Sequence, residues 1–482
     1  MSQSSTDANG VLKRSTILLH GSIGMPLAII GYPLVVYLPP FYAQEVGLNM
    51  ALMALVLVVA RLSDVITDPL IGTLSDRWRT RFGRRKPWLV MGVPLMLAGT
   101  VMIFMPPDGI GIGHLLFWTM LMYLGWTMVT LPYGAWGAEL STVYHQRSRV
   151  VASREGFVLI GLFLAALAPA LVQALGARFQ AGHTDGWLMQ TAVTLFGRDG
   201  ELGIGYGPIL AVMAWMMLIL LPLTVFWVVG AVKEAPPQSV ERTDWKKGLR
   251  VMKNNGPFKR MILMLLVVVT GESFRNALSV FFMQHVIQIQ AQIGLMYLLY
   301  FGIGILGIPF WLQVDNRIGK HRRSAALAIS SASILGMFFL GAGQLLPFAI
   351  LFAIKGFCFA AFQFLPLSML ADIVDLDTAR SREHRTGLFF AISGMAQKAA
   401  MALGLGLSLG LLALVGFDAK AVEHTASQLL SLRILYILGP VALYMTAFVI
   451  AWRYPLTAER QERIHRWVTR REARLSVMAA SR

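Results

Sequence analysis

Twelve long apolar segments limit what this chain can fold into. A helix of about 20 apolar residues crosses the roughly 30 Å hydrocarbon layer of a membrane. Only 14% of the 482 residues are charged, whereas about a quarter are charged in a soluble domain. We therefore predict an all-α membrane protein with twelve transmembrane helices. In chain order, the segments lie at 17–43, 50–75, 87–106, 114–138, 150–176, 208–232, 257–288, 291–314, 324–343, 345–374, 387–416 and 430–453.

Positive charge alternates between the two sides of these segments. The two tails, the stretches that follow even-numbered segments and the segment ends next to them hold 34 of the 42 Lys and Arg residues, and the opposite loops with their adjoining segment ends hold four. Because positively charged loops stay in the cytoplasm, we predict cytoplasmic termini on a multi-pass protein of the plasma (inner) membrane. The net charge of +17 is then explained by topology. The lipid bilayer is the expected partner, and no nucleic acid is expected.

The segments divide into two related sets of six. After the second segment the chain reads DRWRTRFGRRK (76–86), and after the eighth it reads DNRIGKHRR (315–323), so that Asp, Arg, Gly and a basic cluster recur in order. Two related six-helix halves are the plan of a rocking transporter. The predicted units are a cytoplasmic tail at 1–16, a bundle at 17–232, a cytoplasmic linker at 233–256, a second bundle at 257–454 and a basic tail at 455–482.

Motifs of soluble enzymes do not occur in a usable context. GIGILG at 302–307 matches a dinucleotide-binding pattern, but it lies inside an apolar segment, where small residues favour close helix packing. The nine histidines lack metal-ligand spacing, and the sequence has no ATP-binding loop. The single cysteine, Cys358, permits no intrachain disulfide. We therefore expect neither enzymatic activity nor a cofactor.

Charged residues inside apolar segments indicate a functional site, because an unpaired charge in the bilayer is costly. Asp64 and Asp68 lie one helical turn apart on one face, where two carboxylates repel unless a cation or proton lies between them. Pro69 is expected to loosen the helix there and free a carbonyl. We predict a cation site, and these residues suit either sodium or a proton. Structural pairing is an open alternative for charges near segment ends, namely Arg61, Lys355, Asp372 and Asp375.

Several stretches resemble the glycoside–pentoside–hexuronide:cation symporters, the melibiose-permease branch of the major facilitator superfamily. RLSDVITDPLIG followed by RFGRRKPW is the most specific of them. The similarity spans nearly the whole chain. It implies a twelve-helix major facilitator fold, a central cavity and uptake of a small-molecule solute together with a cation. Further matching stretches are FYAQEVGL, TLPYGAWGAEL, RVVASREGF, MLADIVDLDTARSREHRTGLFFAISGMAQKAA and RYPLTAERQERI.

The resemblance also implies roles for individual residues. Asp64 and Asp68 match the cation-binding carboxylates, and Thr67 and Thr127 match polar neighbours of the ion. Arg154 matches an arginine beside the sugar pocket, and Lys398 matches a cavity lysine near the carboxylates. Asp76 and Arg385 match cytoplasmic gating motifs. The remaining predicted substrate contacts, which come from side-chain chemistry inside the segments, are Tyr32, Trp136, Glu272 and Arg275.

The sequence departs from melibiose permease where that protein grips its sugar. The positions that correspond to its two sugar-binding carboxylates fall near Ala28 and Thr130, which are not acidic. Since Arg154 lacks a matched acidic partner there, we expect an anionic or amphipathic glycoside-like ligand and poor uptake of neutral galactosides. An amphipathic or lysolipid-like substrate is the alternative, and a non-transporting sensor is a third hypothesis that the retained cavity charges disfavour. We expect a monomer.

Overall fold

The computed structural model describes residues 12–78, 80–141, 144–182, 186–197, 205–234, 255–318, 325–381, 386–421 and 423–452. Regular structure in these ranges is helical, apart from an isolated β-bridge between Thr80 and Gly83. The predicted linker and the C-terminal tail lie almost entirely outside the described residues, as do residues 1–11.

Helices occupy all twelve predicted segments. Ten of the described helices are long and apolar enough to cross a membrane, and the ninth and tenth segments contain the shorter apolar helical stretches Ala325–Phe339 and Leu345–Phe359. The count of twelve spans therefore stays a prediction. In the first half the helices are α1 (Arg14–Val36), α2 (Met50–Arg77), α3 (Lys86–Phe104), α4 (Ile112–Glu139), α5 (Tyr144–Gln180) and α6 (Tyr206–Ala231). In the second half they are α7 (Gly256–Phe281), α8 (Ile293–Ile318), α9 (Ala325–Phe339), α10 (Leu345–Ser381), α11 (Thr386–Leu414) and α12 (Ala426–Trp452).

Two features of the first half differ from the sequence prediction. The predicted tail 1–16 ends early, because Leu12 is buried against Ile17 and Val150 and α1 begins at Arg14. In addition, a ten-residue helix, Trp187–Phe196, lies in the predicted loop between α5 and α6. One apolar face of that helix packs against α5, which explains why a short loop segment becomes helical.

Within each half, a glycine allows two helices to pack closely, and the same arrangement occurs in both halves. A Cβ at Gly161 on α5 would lie 2.3 Å from the carbonyl oxygen of Met25 on α1. A Cβ at Gly404 on α11 would lie 2.4 Å from the carbonyl oxygen of Thr270 on α7. Only glycine permits such backbone approach between membrane helices. The pairs α1–α5 and α7–α11 thus repeat one packing device in both halves, as an internal repeat requires.

Matching irregular turns follow α1 and α7 at the end of the bundle opposite the termini. Each is a π-helical turn, Phe41–Val46 in the first half and Phe282–Ile287 in the second. Gln44 is the fourth residue of the first turn and Gln284 is the third residue of the second, 240 residues further along the chain. We call this end of the molecule the far end.

Direct contacts join the two halves at the far end. The Gln173 side chain on α5 donates to the carbonyl of Gln290 (3.2 Å) and accepts from the backbone N–H of Gly294 on α8 (2.8 Å). A Cβ at Gly406 on α11 would lie 2.4 Å from the side chain of Val58 on α2. The hydrogen bonds that Gln44, Gln173 and Lys398 form between the halves lie between the level of Asp68 and the far end.

Candidate cation and substrate site

The break in helix α2 beside the predicted cation site is local. A turn at Ser63 separates the regular α-helical stretches Met50–Leu62 and Asp64–Arg77, although the Ser63 N–H still bonds to the carbonyl of Val59. The break falls at Ser63, whose hydroxyl donates to the carbonyl of Ala60 (2.7 Å) and competes with the backbone there. Pro69 lies within the second helical piece, and because proline has no N–H the carbonyl of Val65 lacks its usual donor there. The break puts Asp64 in the first turn of that piece.

A lysine from the opposite half binds Asp68. The Lys398 ammonium on α11 donates to both carboxylate oxygens of Asp68, at 2.6 and 2.9 Å. The Thr127 hydroxyl on α4 donates to the same carboxylate at 2.9 Å. Charge-assisted bonds of this length are strong. The structure thus brings together Asp68, Thr127 and Lys398, which come from three helices that are distant in sequence.

Asp64 is more deeply buried and less completely satisfied. Its side chain is 1% exposed, and its Oδ2 lies 3.1 Å from the Lys398 ammonium and 3.5 Å from the Arg61 guanidinium. Neither carboxylate oxygen has a partner with hydrogen-bond geometry, and the buried Thr67 hydroxyl also lacks one. Three buried oxygens therefore have unused capacity for a ligand next to the Lys398 ammonium.

The guanidinium of Arg61 completes the charge balance. It lies 4.8 Å from the centre of the Tyr123 ring and 3.7 Å from the Met401 sulfur on α11. Two carboxylates thus face two fixed cations. Carboxylate and hydroxyl oxygens are the ligands that a hard cation such as sodium prefers. An entering cation can therefore take the place of the Lys398 ammonium, because it supplies the same positive charge to the carboxylates.

Arg154 has an acidic neighbour that the sequence argument overlooked. Its guanidinium donates to Glu155 at 2.6 and 3.1 Å, and both side chains are about one-third exposed. The expectation of an arginine without an acidic partner is therefore wrong. The adjacent residue supplies the carboxylate because the exposed surface of α5 leaves both side chains free to turn toward each other. The case for an anionic ligand is weaker for this reason.

Glu272 and Arg275 belong to a buried ionic cluster inside the second half. Lys355 on α10 donates to Glu272 at 2.5 Å, and Arg275 lies 3.6 Å from the same carboxylate and beneath the ring of Tyr300. Lys355 has no exposed surface and Arg275 has 1%. Lys355 was expected near a helix end, but tertiary packing puts it in the core. In this conformation Arg275 is a partner of the cluster and has no open face toward a solute.

The two predicted aromatic contacts lie in different surroundings. Tyr32 on α1 packs edge-on against Tyr297 and Phe301 of α8, with ring centres 5.2 and 4.9 Å away, so it lies between the halves. Trp136 is fully buried within the first half against the ring of His20. The burial of Trp136 leaves no face for a solute in this conformation, contrary to the prediction of substrate contact.

Asp76 forms part of an ionic network at the terminal end. Arg85 contacts Asp76 at 2.6 Å and Glu139 at 2.7 Å. The Glu234 carboxylate accepts backbone N–H bonds from Arg84, Arg85 and Lys86 at 2.7 to 2.9 Å, which places a negative charge at the N-terminus of α3. The other predicted gating residue, Arg385, lies outside the described residues, as do the side chains of Asp372 and Asp375.

Structural pairing was one of the alternatives that the sequence left open for Lys355, because a lysine inside an apolar segment is a usable signal. Sequence reasoning did not assign Tyr300 and Tyr123 to these clusters or Glu155 as the partner of Arg154. The tyrosines gave no signal, because tyrosine is common in membrane helices and only its neighbours make it a cluster member.

Comparison with known proteins also indicates a membrane transporter. The sequence profile of the family described as MFS/sugar transport protein matches residues 19–458. The chain is 26% identical to the putative glycoside/cation symporter YagG of Escherichia coli, with 90% of each chain covered. It is 25% identical to the human sodium-dependent lysophosphatidylcholine symporter 1, with 85% of this chain and 77% of the relative covered.

The fold is similar to that of a solved transporter structure. A bacterial homologue of the human lysosomal transporter Spinster, in an inward-facing and unoccupied conformation, superposes with a TM-score of 0.65. The identity is 14%, with 91% of this chain and 96% of the other covered. At that identity the likeness shows the fold alone, which is the all-helical transporter fold.

Proposed function

The chain belongs to the MFS/sugar transport protein family, and from this premise we propose that it carries a glycoside or sugar-like solute across the membrane together with a cation. The two halves rock about a central site and expose it to one side at a time. The far-end contacts between the halves correspond to a state that is open toward the termini. We place the termini in the cytoplasm, as the charge of the loops indicates.

The observation that carries this proposal is the ion pair between halves. The ammonium of Lys398 in the second half occupies the space between Asp64 and Asp68 of the first. Entry of sodium or a proton weakens this bond, because a carboxylate that holds another cation attracts the ammonium less. Ion binding is thereby coupled to the contact between the halves, which is what co-transport requires. Thr127 and Thr67 supply further oxygen ligands.

The side chains at the candidate site favour a glycoside over an anionic solute. Arg154 is neutralised by Glu155, and Arg275 is buried with Glu272. Neither of these two arginines is therefore available to bind a carboxylate, sulfate or phosphate group of a solute. A lysolipid-like substrate is the second candidate, since the chain is 25% identical to the human sodium-dependent lysophosphatidylcholine symporter 1.

Uptake into proteoliposomes tests the proposal. Purified protein is reconstituted, and accumulation of labelled melibiose, xylobiose and lysophosphatidylcholine is measured with a sodium gradient, with a proton gradient and with neither. We expect gradient-dependent uptake of a glycoside. Asp68→Asn keeps the size of the side chain and removes its charge, so we expect it to abolish accumulation while exchange without a gradient persists.

The matched control is Asp108→Asn, which changes an exposed aspartate in the loop between α3 and α4 and should leave uptake unchanged. Gradient dependence that survives in both Asp64→Asn and Asp68→Asn would overturn the cation assignment. Uptake of lysophosphatidylcholine alone would replace the glycoside by the second candidate.

A further inference from the structure

A polar cavity lies at the far end, outside the contacts that close the two halves. Its volume is about 790 Å³, within the roughly 300–1,000 Å³ of small-molecule sites. Both halves contribute to its wall, which carries four carboxamides, two imidazoles, one lysine and one glutamate. The polar lining residues are Gln44, Gln284, Gln288, Gln290, His285, His424, Lys420 and Glu423. The central cation site does not use these residues.

One glutamine from each of the two π-helical turns takes part in a reciprocal pair of hydrogen bonds in this cavity. The Gln44 amide donates to the Gln284 carbonyl oxygen (3.0 Å), and the Gln284 amide donates to the Gln44 carbonyl oxygen (3.1 Å). Tyr206 donates to the same oxygen of Gln284 at 2.6 Å. These bonds join the first half to the second. They are also the kind of bond that a sugar hydroxyl can replace, because a hydroxyl both donates and accepts.

Backbone strain lies in the same wall. Gln288 has φ +60°, and among the described residues it alone has a positive φ without being glycine. The turn at the corresponding place in the first half is completed by Gly47, with φ +86°. A left-handed glutamine costs about 1 kcal/mol relative to glycine. The second half thus keeps a side chain where the first half has none, and that carboxamide lines the cavity.

The charge of the wall identifies the class of ligand. Lys420 and Glu423 balance each other. Burial lowers the pKa of His424, a shift that the nearby Asp418 partly offsets, so the ring is neutral near pH 7. Neither ring nitrogen of His424 has a hydrogen-bond partner among the described residues. Among the described residues that line the cavity, none is a Phe, Tyr or Trp that could hold a quaternary ammonium, and their charges leave no excess positive charge for a phosphate.

We propose that this cavity is a vestibule site that binds a neutral polyhydroxylated solute, such as a mono- or disaccharide, before the far end opens. The inference rests on the proposed function, since it assigns the site at which the transported solute first binds. Hydroxyls of the solute bond to Gln288 and compete for the amides of Gln44 and Gln284. Occupancy therefore weakens bonds that hold the halves together at the far end. The solute thus favours the opening that admits it.

Protection of an introduced cysteine tests the vestibule. Ala421 lines the cavity, and the sole native cysteine, Cys358, is buried. Full-length Ala421→Cys protein in nanodiscs is alkylated with N-ethylmaleimide in the presence of melibiose, lactose, xylobiose or lysophosphatidylcholine. We expect at least one of the three sugars to slow alkylation several-fold. Glycine betaine at equal osmolarity should have no effect.

Three further variants separate the vestibule from the central site. Gly113→Cys, at an exposed position with open space around its Cβ, should show no protection. Protection should persist in Asp68→Asn/Ala421→Cys, because the vestibule does not need the coupling cation. It should be lost in Gln288→Gly/Ala421→Cys, where glycine removes the carboxamide and relieves the strain, so the fold is kept.

The opposite results distinguish a failure of the vestibule from a failure of the proposed function. Absence of sugar protection in a protein that transports the same sugar overturns the vestibule and leaves the proposed function intact. Protection that disappears with Asp68→Asn, or survives Gln288→Gly, also overturns it, as does protection by lysophosphatidylcholine alone. Protection without any cation-coupled uptake supports the vestibule and removes the coupling.

Discussion

At the scale of single residues, the central question is how a membrane helix holds Asp64 and Asp68 so close together. The ammonium of Lys398 lies 2.6 Å from Asp68 and 3.1 Å from Asp64 and compensates their repulsion. Two unit charges 4 Å apart interact by about 4 kcal/mol at an effective dielectric constant of 20. The lysine is therefore a competitor of any cation that enters. Its removal should make the carboxylates more available.

Lys398→Ala tests this competition. With one compensating charge removed, we expect the apparent affinity for the coupling cation to rise about tenfold, which is ~1.4 kcal/mol. Gradient-driven solute uptake should fall, because displacement of the ammonium no longer links the ion to the contact between the halves. Sodium or proton titration of tryptophan fluorescence in purified protein gives the affinity. Lys259→Ala, at an exposed lysine on α7, is the control, and unchanged affinity and uptake in Lys398→Ala would make the lysine a structural partner only.

At the scale of helices, the closed far end depends on a close approach of α8 to α5. A Cβ at Gly294 on α8 would lie 2.6 Å from the backbone nitrogen of Ala170 on α5. Backbone atoms cannot turn aside as a flexible side chain can. The far end can therefore close fully only if residue 294 is glycine, whereas a state in which α5 and α8 separate has no such requirement.

Gly294→Ala should consequently shift the population toward a conformation with an open far end. Nitroxide labels on Gly113→Cys in the first half and Ser427→Cys in the second report this as longer distances in pulsed EPR. Gly302→Ala is the matched control, because it lies on the same helix with open space around its Cβ. An identical distance distribution in both glycine variants would show that the α5–α8 contact does not govern closure.

At the scale of the whole molecule, the positive charge of the loops predicts the orientation of the bundle. The C-terminal tail and the 233–256 linker are among the most basic stretches of the chain, and basic loops are retained in the cytoplasm. The far end, with its polar vestibule, would then face outward, where a solute arrives. Orientation is a property of the protein in its membrane, so it needs a test in cells.

Thiol labelling of intact cells supplies that test. A cysteine introduced at Ser239 in the linker should react with a membrane-impermeant maleimide only after the cells are opened. Gly113→Cys should react in intact cells. The background is low because Cys358 is the only native cysteine and is buried. The reverse pattern of labelling would contradict the predicted topology and would place the vestibule on the cytoplasmic side.

The sequence by itself determined the fold class and the transporter family. Apolar segments of membrane-crossing length leave few folds besides a helical bundle, and the stretch RLSDVITDPLIG indicated a symporter family that the profile match confirms. The cost of burying charge also singled out Asp64, Asp68 and Lys398 as candidates. These inferences succeed because hydrophobic length and intramembrane charge are local properties, readable one segment at a time.

Only the tertiary structure decided which charges meet. The pairings of Lys398 with Asp68 and of Lys355 with Glu272 span 330 and 83 residues, and no local pattern fixes such distances. The burial of Trp136 and Arg275, and the reciprocal bonds of Gln44 and Gln284, likewise depend on how helices rotate against each other. That rotation is set by packing of many side chains at once, so side-chain contacts across the bundle are not encoded in any one segment.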